Sequence, residues 1–358
     1  MLSMIAMSGG VDSSVAAALL ADERGAEACV GVAMRLYSVD EDEVRTGRTC
    51  CAPDDLYDAR RAASSLGIRF YVYDAQERFR AQVIEPFVEA YGRGETPNPC
   101  VRCNDHVKFD WLLDRATRLG ASELVTGHYA RIERGADGRY RLLRALDPSK
   151  DQSYFLHGLT QDELLRVRFP LGELTKTQVR ALARQRKLPN ADKPESMEVC
   201  FVGDTPLPDF LEAHGVKPAA GEIVDLQGRT VGEHGGVHRF TVGQRRGLGV
   251  SHPLPLYVAS LDAKSQRVVV GTHGEVARST FTAADASWVA DAPAPGALCE
   301  VQIRHRGRPL PAILEEVFGA EARLRVKLLE PAVGVAPGQS AVFYRGDQVL
   351  GGARICSS

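Results

Sequence analysis

Long apolar runs are missing from this chain. Among its 358 residues the longest aliphatic stretch is Val15 to Ala21, far short of the roughly 20 residues that cross a bilayer, so no membrane-spanning helix is expected. No basic residue precedes Arg24, which excludes the positively charged start of a secretory signal and leads us to expect a cytoplasmic protein. Cysteine is sparse, at eight residues. That is too few for a disulfide scaffold, so the spacing of the thiols has to be read as chemistry or packing. Neither sign of charge dominates, with 44 Lys and Arg against 46 Asp and Glu for a net of −2, which excludes a general nucleic-acid coat. The imbalance is local: residues 1–130 carry a net of −6 and residues 131–190 a net of +6. Arg180, Arg184 and Arg186 lie in that basic stretch, where the favoured reading is a solvated face of an amphipathic helix. The chain has no Gly-Lys dipeptide and no GxGxxG, so the Walker A loop and the dinucleotide fingerprint are both absent.

What remains is average globular usage, 44% hydrophobic and 25% charged, in a chain long enough for two or three domains. Over the first 130 residues apolar runs (Met1–Met7, Cys29–Leu36, Phe70–Tyr73, Glu123–Tyr129) alternate with helical patterns (Ser14–Ala21, Asp55–Leu66, Phe79–Tyr91, Val107–Leu119). This alternation is that of parallel βαβ units and predicts a doubly wound α/β sheet, whose ligands sit beyond the carboxyl ends of its strands. From Thr160 to Leu188 the pattern is helical only, and a segment rich in Pro and Gly from Asp204 to Gly221 marks a boundary. Beyond it, Cys299, Val301 and Ile303 alternate with polar neighbours, as do Leu324, Val326 and Leu328. That period of two predicts a small all-β domain from about residue 281 to the end.

Ser8-Gly9-Gly10-Val11-Asp12-Ser13-Ser14 follows the first strand and opens an alanine-rich helix. Backbone N–H groups converge there on a helix N-terminus, where an anion is favoured. The glycines permit close approach, the serine hydroxyls can donate or cap, and Asp12 can cap the helix or hold a magnesium ion. Thr96-Pro97-Asn98-Pro99-Cys100-Val101-Arg102-Cys103-Asn104 places a CxxC directly before a helix that Asn104 or Asp105 can cap. A thiol at a helix N-terminus beside Arg102 has its thiolate stabilised, which makes Cys103 a candidate nucleophile. The same CxxC could be half of a zinc site, completed from Cys50, Cys51 and Cys200. Cys200 between Val199 and Phe201 reads as a buried packing residue when taken alone. His234 and His238 flank Gly235-Gly236, and a turn is favoured there over a metal site.

The loop at residues 8–14 resembles the PP-loop of ATP pyrophosphatases, which cleave ATP between the α and β phosphates. As an ordered set, that loop, Cys50-Cys51, Asp58-Ala-Arg-Arg61, the 96–104 segment, Gly127-His128-Tyr129-Ala130-Arg131, Lys150-Asp151-Gln152-Ser153-Tyr154, Glu198-Val-Cys-Phe201 and Phe240–Gly249 resemble the tRNA-specific 2-thiouridylase family. The resemblance spans nearly the entire length. It implies a PP-loop catalytic domain at 1–205 with a helical segment at about 160–190, a central small domain at 206–280, and a barrel-like β domain at 281–358. It implies ATP, with Mg2+, at Ala6, Met7, Ser8, Gly9, Gly10, Val11, Asp12, Ser13, Met34 and Gly127. Asn98, Pro99 and Cys100 would line the pocket for the target base, and His128, Lys150, Asp151, Gln152, Arg304, His305 and Gln339 would contact tRNA. Thiolation of the wobble uridine would then use a persulfide on Cys200 with Cys103 as nucleophile, the sulfur coming from a cysteine desulfurase or a sulfur-relay protein. The alternatives are an iron–sulfur cluster on Cys100, Cys103 and Cys200, or a different PP-loop adenylating ligase. In the persulfide route Cys103 and Cys200 are expected to lie within disulfide reach in at least one conformer. Cys50 and Cys51 receive no role.

Overall fold

The structure, a computed structural model, describes residues 1–37, 53–195, 199–318 and 323–356. Cys50, Cys51 and Glu198 lie outside the described residues. By the contacts between residues the chain divides into two compact units. The first comprises 1–83, 100–204 and 347–349; the second comprises 84–99, 205–346 and 350–358.

The first unit is built on a five-stranded sheet. Strands β1 (Leu2–Ala6), β2 (Cys29–Arg35), β3 (Arg69–Asp74) and β4 (Ala121–Val125) are the expected apolar runs. Their order is β3-β2-β1-β4, with every pairing parallel. The chain reverses its direction of winding between β1 and β4, so the crevice outside their carboxyl ends is where such a sheet takes a ligand. β1 and β2 are buried on both faces, which is why they read as continuous apolar runs rather than alternations. Helix α1 (Val11–Arg24) packs Val15, Ala16 and Ala18 against Leu171, Val179 and Ala183, while its Ala17 and Leu20 meet Ala59, Ala62 and Ala63 of α2 (Pro53–Ser65). Small alanine side chains let these helices approach one another closely.

Three features of this unit depart from the sequence expectation. Residues Ala130–Arg134 (β5) and Tyr140–Arg144 (β6) form an antiparallel hairpin, whose second strand also pairs with residues 348–349. The 160–188 stretch is interrupted by a two-residue strand, β7 (Val167–Arg168), which adds to β4 in parallel. The helix carrying the CxxC, α3, starts earlier than expected: Pro99–Cys103 is α-helical, Asn104–Leu112 winds as a wider π-helix, and Leu113–Arg118 returns to α. Proline is favoured in a first turn because its missing N–H has no partner there in any case.

The second unit holds two sheets. β8 (Gly221–Asp225), β9 (Thr230–His234), β10 (Leu256–Asp262) and β11 (Arg267–Thr272) form a four-stranded sheet in the order β10-β11-β8-β9. It closes over Ile223, Val237, Phe240, Val258, Val268 and Val270. Strands β12 (Arg278–Trp288), β13 (Ala297–Gln302), β14 (Leu310–Phe318), β15 (Arg323–Ala332), β16 (Ser340–Arg345) and β17 (Gln348–Ile355) follow in the order β12-β15-β14-β13-β16-β17. A further β12–β17 pairing, from Ala283↔Ile355 to Trp288↔Gly351, closes them into a barrel, which removes the exposed edges of an open sheet. The expected alternation of β15 is present, with Leu324, Val326 and Leu328 inside and Arg325 and Lys327 outside.

Candidate active site

The glycine loop joins β1 to α1 at the switch point. Gly10 occupies the N-cap position of α1, and no side chain bonds the open end of the helix. Neither Asp12 nor a serine caps it, contrary to one of the sequence expectations. The first-turn N–H groups of Val11, Asp12 and Ser13 have no intrahelical acceptor by helix geometry, and with the helix dipole they form an anion-attracting end. Side chains brace the loop from behind. The Ser13 hydroxyl accepts from the Ser8 N–H at 3.1 Å and donates to the Gly10 carbonyl at 3.1 Å. Asn190, 3% exposed, donates through Nδ2 to the Gly9 carbonyl at 2.8 Å and to the Ser14 hydroxyl at 2.9 Å.

Two glycines are required by space. Gly9 has φ +77°, and a Cβ there would lie 2.2 Å from the Asp55 carbonyl oxygen. Gly127, just beyond β4, lets that strand end run beside the first turn of α1: a Cβ there would lie 2.7 Å from the Ser13 nitrogen. Gly127 is thus brought against the end of the loop at Asp12 and Ser13. Met34, buried on β2 next to β1, shares the carboxyl-terminal edge of the sheet.

Asp12 turns its carboxylate away from any capping role. Both its oxygens accept from Lys176 Nζ, at 2.7 and 2.8 Å, and Oδ1 also accepts from the Tyr129 hydroxyl at 2.9 Å. Lys176 is the first residue of α4 (Lys176–Gln185), whose start is fixed by a capping box between Thr175 and Gln178. Its Nζ also pairs with Glu195 at 2.8 Å, and Lys150 pairs with the other oxygen of Glu195 at 2.7 Å. Burial pushes the pKa of Glu195 up, but the hydrogen bonds and charges of Lys150 and Lys176 outweigh it and hold the carboxyl down at about 2. Burial and the neighbouring Asp12 push the Tyr129 phenol far up, so it remains a donor. Sequence reasoning missed Lys176, Glu195, Tyr129 and Asn190. Tyr129 lies inside the 127–131 motif without a role of its own, and nothing local distinguishes the other three.

The residues expected on the tRNA face divide. His128 is buried, with Nδ1 at 2.7 Å from the Thr126 hydroxyl, Nε2 at 3.4 Å from Lys108 Nζ, and its ring between Phe109 and Phe169. Burial, then the Lys108 charge, pushes its pKa well down, so the ring is neutral. Asp151 is likewise a framework residue, accepting from Arg144, from the Ser153 hydroxyl and from the Ala145 N–H. Gln152 accepts from the Tyr129 N–H through Oε1, and Lys150 is held by Glu195. In the second unit the Gln339 amide donates to the Thr96 carbonyl at 2.7 Å, beside a Thr96 N–H to Pro337 carbonyl bond of 2.8 Å. Gln339 therefore anchors the start of the 96–104 motif. Arg304 is exposed and His305 half-buried. Arg304 lines a cleft of about 350 Å³ with Arg308, Tyr257 and His273. The arginines of the expected helical face are engaged within the unit: Arg180 with the Ala191 and Lys193 carbonyls, Arg184 with Asp192, and Arg186 with Asp22. His238 bonds Glu212, and His234 accepts from the Gly236 N–H, so the turn reading holds.

Cys103 is the fifth residue of α3 rather than its lead-in, and Asn104 is buried with Nδ2 donating to the Phe155 carbonyl at 3.0 Å instead of capping. Arg102 directs Nε to the Gln82 carbonyl at 2.7 Å. Asn98 is half-exposed, Pro99 buried and Cys100 exposed. Cys103 and Cys200 are both half-exposed thiols outside any disulfide. The Cys200 carbonyl accepts from the Tyr37 hydroxyl at 2.8 Å, and Phe201 packs edge-on against Phe79 with centroids 5.6 Å apart. Among the described residues no three His, Cys, Asp or Glu side chains gather as metal ligands.

A parallel sheet with an open glycine-loop helix end at its switch point, and accessible thiols in the same compact unit, is the plan of a nucleotide-using α/β enzyme with cysteine chemistry. Comparison with known proteins makes this specific. Residues 2–204 match the family model described as a tRNA methyl transferase HUP domain, residues 208–272 a tRNA methyl transferase PRC-barrel domain, and residues 278–355 an aminomethyltransferase beta-barrel domain. A protein of Geobacter metallireducens named tRNA-specific 2-thiouridylase MnmA is 49% identical over 356 residues, which cover 98% of this chain and 96% of that one. Its namesake from Sorangium cellulosum is 50% identical over 358 residues, covering 98% and 91%. The namesake from Chloroflexus aurantiacus is 48% identical over 354 residues, covering 98% and 97%. The chain belongs to the tRNA-specific 2-thiouridylase family.

Proposed function

We propose that this chain carries out ATP-dependent 2-thiolation of the wobble uridine of tRNA. The observation that carries the reading is the first unit itself, in which an open anion-binding helix end and the thiols Cys103 and Cys200, 97 positions apart in sequence, belong to one compact body. The family models carry a methyltransferase description, but the named relatives are thiouridylases, and a pair of thiols suits sulfur transfer.

ATP is the substrate, with magnesium arriving as the counter-ion of its phosphates. The N–H groups at the start of α1 hold the polyphosphate and stabilise the charge that develops as the C2 oxygen of uridine attacks the α-phosphorus. Pyrophosphate leaves, and C2 now carries AMP as a leaving group. Asp12, the one carboxylate of the loop, accepts from Lys176 and Tyr129. Cys200 receives sulfane sulfur from a persulfide-bearing donor protein. The Cys103 thiolate attacks the inner sulfur of the Cys200 persulfide, forming a Cys103–Cys200 disulfide and releasing hydrosulfide, which adds to C2 and expels AMP. In the alternative order the terminal persulfide sulfur attacks C2 first, and Cys103 then frees the thiolated base. Either order ends in a disulfide that an external thiol reduces with two electrons. Asn98, Pro99 and Cys100 are proposed to line the pocket for the flipped base. The cleft at Arg304 and Arg308, with the Tyr257 and His273 rings, has the cationic and stacking groups that suit RNA. The division into 1–205, 206–280 and 281–358 is proposed as the working domain scheme.

The test is mass analysis of nucleosides from unmodified tRNA after incubation with ATP, magnesium, a persulfide donor and iron-free protein. The expected result is 2-thiouridine with the wild type and none with Cys103→Ser or Cys200→Ser. A product that forms equally well with both variants refutes the persulfide route.

A further inference from the structure

The open end of α1 contains a contradiction that Lys176 resolves. Asp12 is the second residue of the helix whose free N–H groups form the anion site. A carboxylate at that position satisfies the helix dipole when the site is empty, but it opposes a polyphosphate drawn to the same end. In the structure this charge is covered from both sides. Lys176 Nζ lies 2.7 and 2.8 Å from the two Asp12 oxygens, and the Tyr129 hydroxyl donates to Oδ1 at 2.9 Å. Lys176 does not act as a loose surface cation. Its side chain is only 12% exposed, its own N–H donates to Asp147 at 3.0 Å, and the Thr175–Gln178 capping box fixes the helix turn that carries it. Glu195 completes the arrangement by bonding Lys176 and Lys150 together. Asp12 and Glu195 are thus matched one for one by Lys176 and Lys150, with the Asp147 carboxylate alongside.

We propose that Lys176 is a positioning residue of the ATP site, which neutralises Asp12 and holds its carboxylate back from the start of α1 so that the loop N–H groups can accept a polyphosphate. The proposal rests on the reading of this loop as the ATP site. It assigns a task to the lysine in a chain that has no Gly-Lys phosphate loop, and the task is different from that of a phosphate-binding lysine: the partner of Lys176 is the protein's own carboxylate. Removing Lys176 leaves Asp12 with the neutral Tyr129 hydroxyl alone and Glu195 with Lys150 alone, one negative charge more where the nucleotide must bind. Removing Asp12 as well takes away the charge that needed covering.

The test is a double-mutant cycle on the full-length protein, reading the ATP dissociation constant by titration calorimetry and the KM and kcat for ATP in thiolation. Lys176→Met is expected to weaken ATP binding about tenfold or more and to raise KM by a similar factor, with kcat at saturating ATP changed by less than about threefold. Asp12→Asn combined with Lys176→Met is expected to recover most of that loss, and Lys176→Arg to retain most of the affinity. Circular dichroism and thermal melting of each variant identify any that fail to fold, and the Arg variant keeps the test open if the Met variant does. A double variant that binds ATP no better than Lys176→Met overturns the proposal, because Lys176 then acts on the nucleotide itself. So does a fall in kcat at unchanged KM. A wild-type chain that binds no ATP fails the underlying reading instead, and is distinguished by its titration alone.

Discussion

Gly127 tests whether the close approach of β4's end to α1 matters for nucleotide binding. A Cβ at this position would lie 2.7 Å from the Ser13 nitrogen, 2.8 Å from the Asp12 carbonyl carbon and 3.0 Å from the Ser13 Cα. All three are backbone atoms, so no side chain can swing aside, and the first turn of α1 has to move by about 0.7 Å to restore ordinary contact. Overpacking of this kind costs about 1–3 kcal/mol, offset by about 0.4–1 kcal/mol from the smaller entropy of an unfolded alanine. A net loss of about 1–2 kcal/mol lowers the melting temperature of a unit of about 200 residues by about 2–8 °C. The effect on binding is larger. The displaced N–H belongs to Ser13, and lengthening a 2.9 Å bond by about 0.7 Å takes it out of hydrogen-bond range. A bond to a charged group is worth about 1.5–3 kcal/mol, so ATP should bind about 10- to 150-fold more weakly. Gly127→Ala is assayed by calorimetric titration with ATP and magnesium and by thermal melting. Gly274→Ala, where an added Cβ meets nothing within 4 Å, is the control and is expected to leave both unchanged. Wild-type ATP affinity in a folded Gly127→Ala protein would refute the claim that the Ser13 N–H binds phosphate.

Asn190→Leu removes the donors to the Gly9 carbonyl and the Ser14 hydroxyl, and a denaturant titration should show a loss of about 1–3 kcal/mol from the acceptors left unpaired in the interior. Glu195 has its folded pKa depressed from 4.5 to about 2, so its contribution to stability is present above pH 4.5 and is lost as pH falls towards 2. Glu195→Gln should therefore flatten that acid limb of a melting-temperature profile, and an unchanged limb rules the pair out as its source. Burial, reinforced by Glu163 and partly offset by Arg102, raises the pKa of Asp105 from 3.8 to about 7. Its charged form is disfavoured in the fold, so stability declines as pH rises from about 4 through 7 and levels off above that. Asp105→Asn should escape the decline, with its advantage over the wild type growing between pH 5 and pH 8 in thermal melts. A constant difference across that range would place the effect elsewhere.

The parts of this fold that could be read from sequence are those whose cause is local. β1 and β2 announce themselves as apolar runs because both faces of a central parallel strand are buried. β15 announces itself by alternation because one of its faces meets solvent. The β5–β6 hairpin carried a local signal that went unread, Asp137-Gly138 between two short strands. β7 carried none, since two residues bonded to β4 have no periodicity. The start of α3 was misplaced because Asn104 and Asp105 were weighed as caps while Pro99 already supplied the first turn.

The site shows the same division more sharply. The glycine loop was legible because its geometry is imposed by consecutive residues, one of which, Gly9, has no room for a side chain. The charges that make the loop usable were not, because Asp12 and Lys176 are 164 positions apart and each is an ordinary surface residue by its own neighbours. Lys150, Asp151, Gln152 and His128 were found for their pattern, but their partners within the fold, Glu195, Arg144, Tyr129 and Thr126, could not be read from it. The residues that touch a ligand recur as motifs, while those that tune its electrostatics are fixed only by the packing of distant elements. Reversing the charges at Asp12 and Lys176 together addresses this directly. If the pair matters only as a neutral unit, Asp12→Lys with Lys176→Asp should fold and bind ATP better than either single reversal, as read by calorimetry. If the swapped protein binds no better than the single variants, the identity of each side chain at its own place carries the function, and charge balance alone does not.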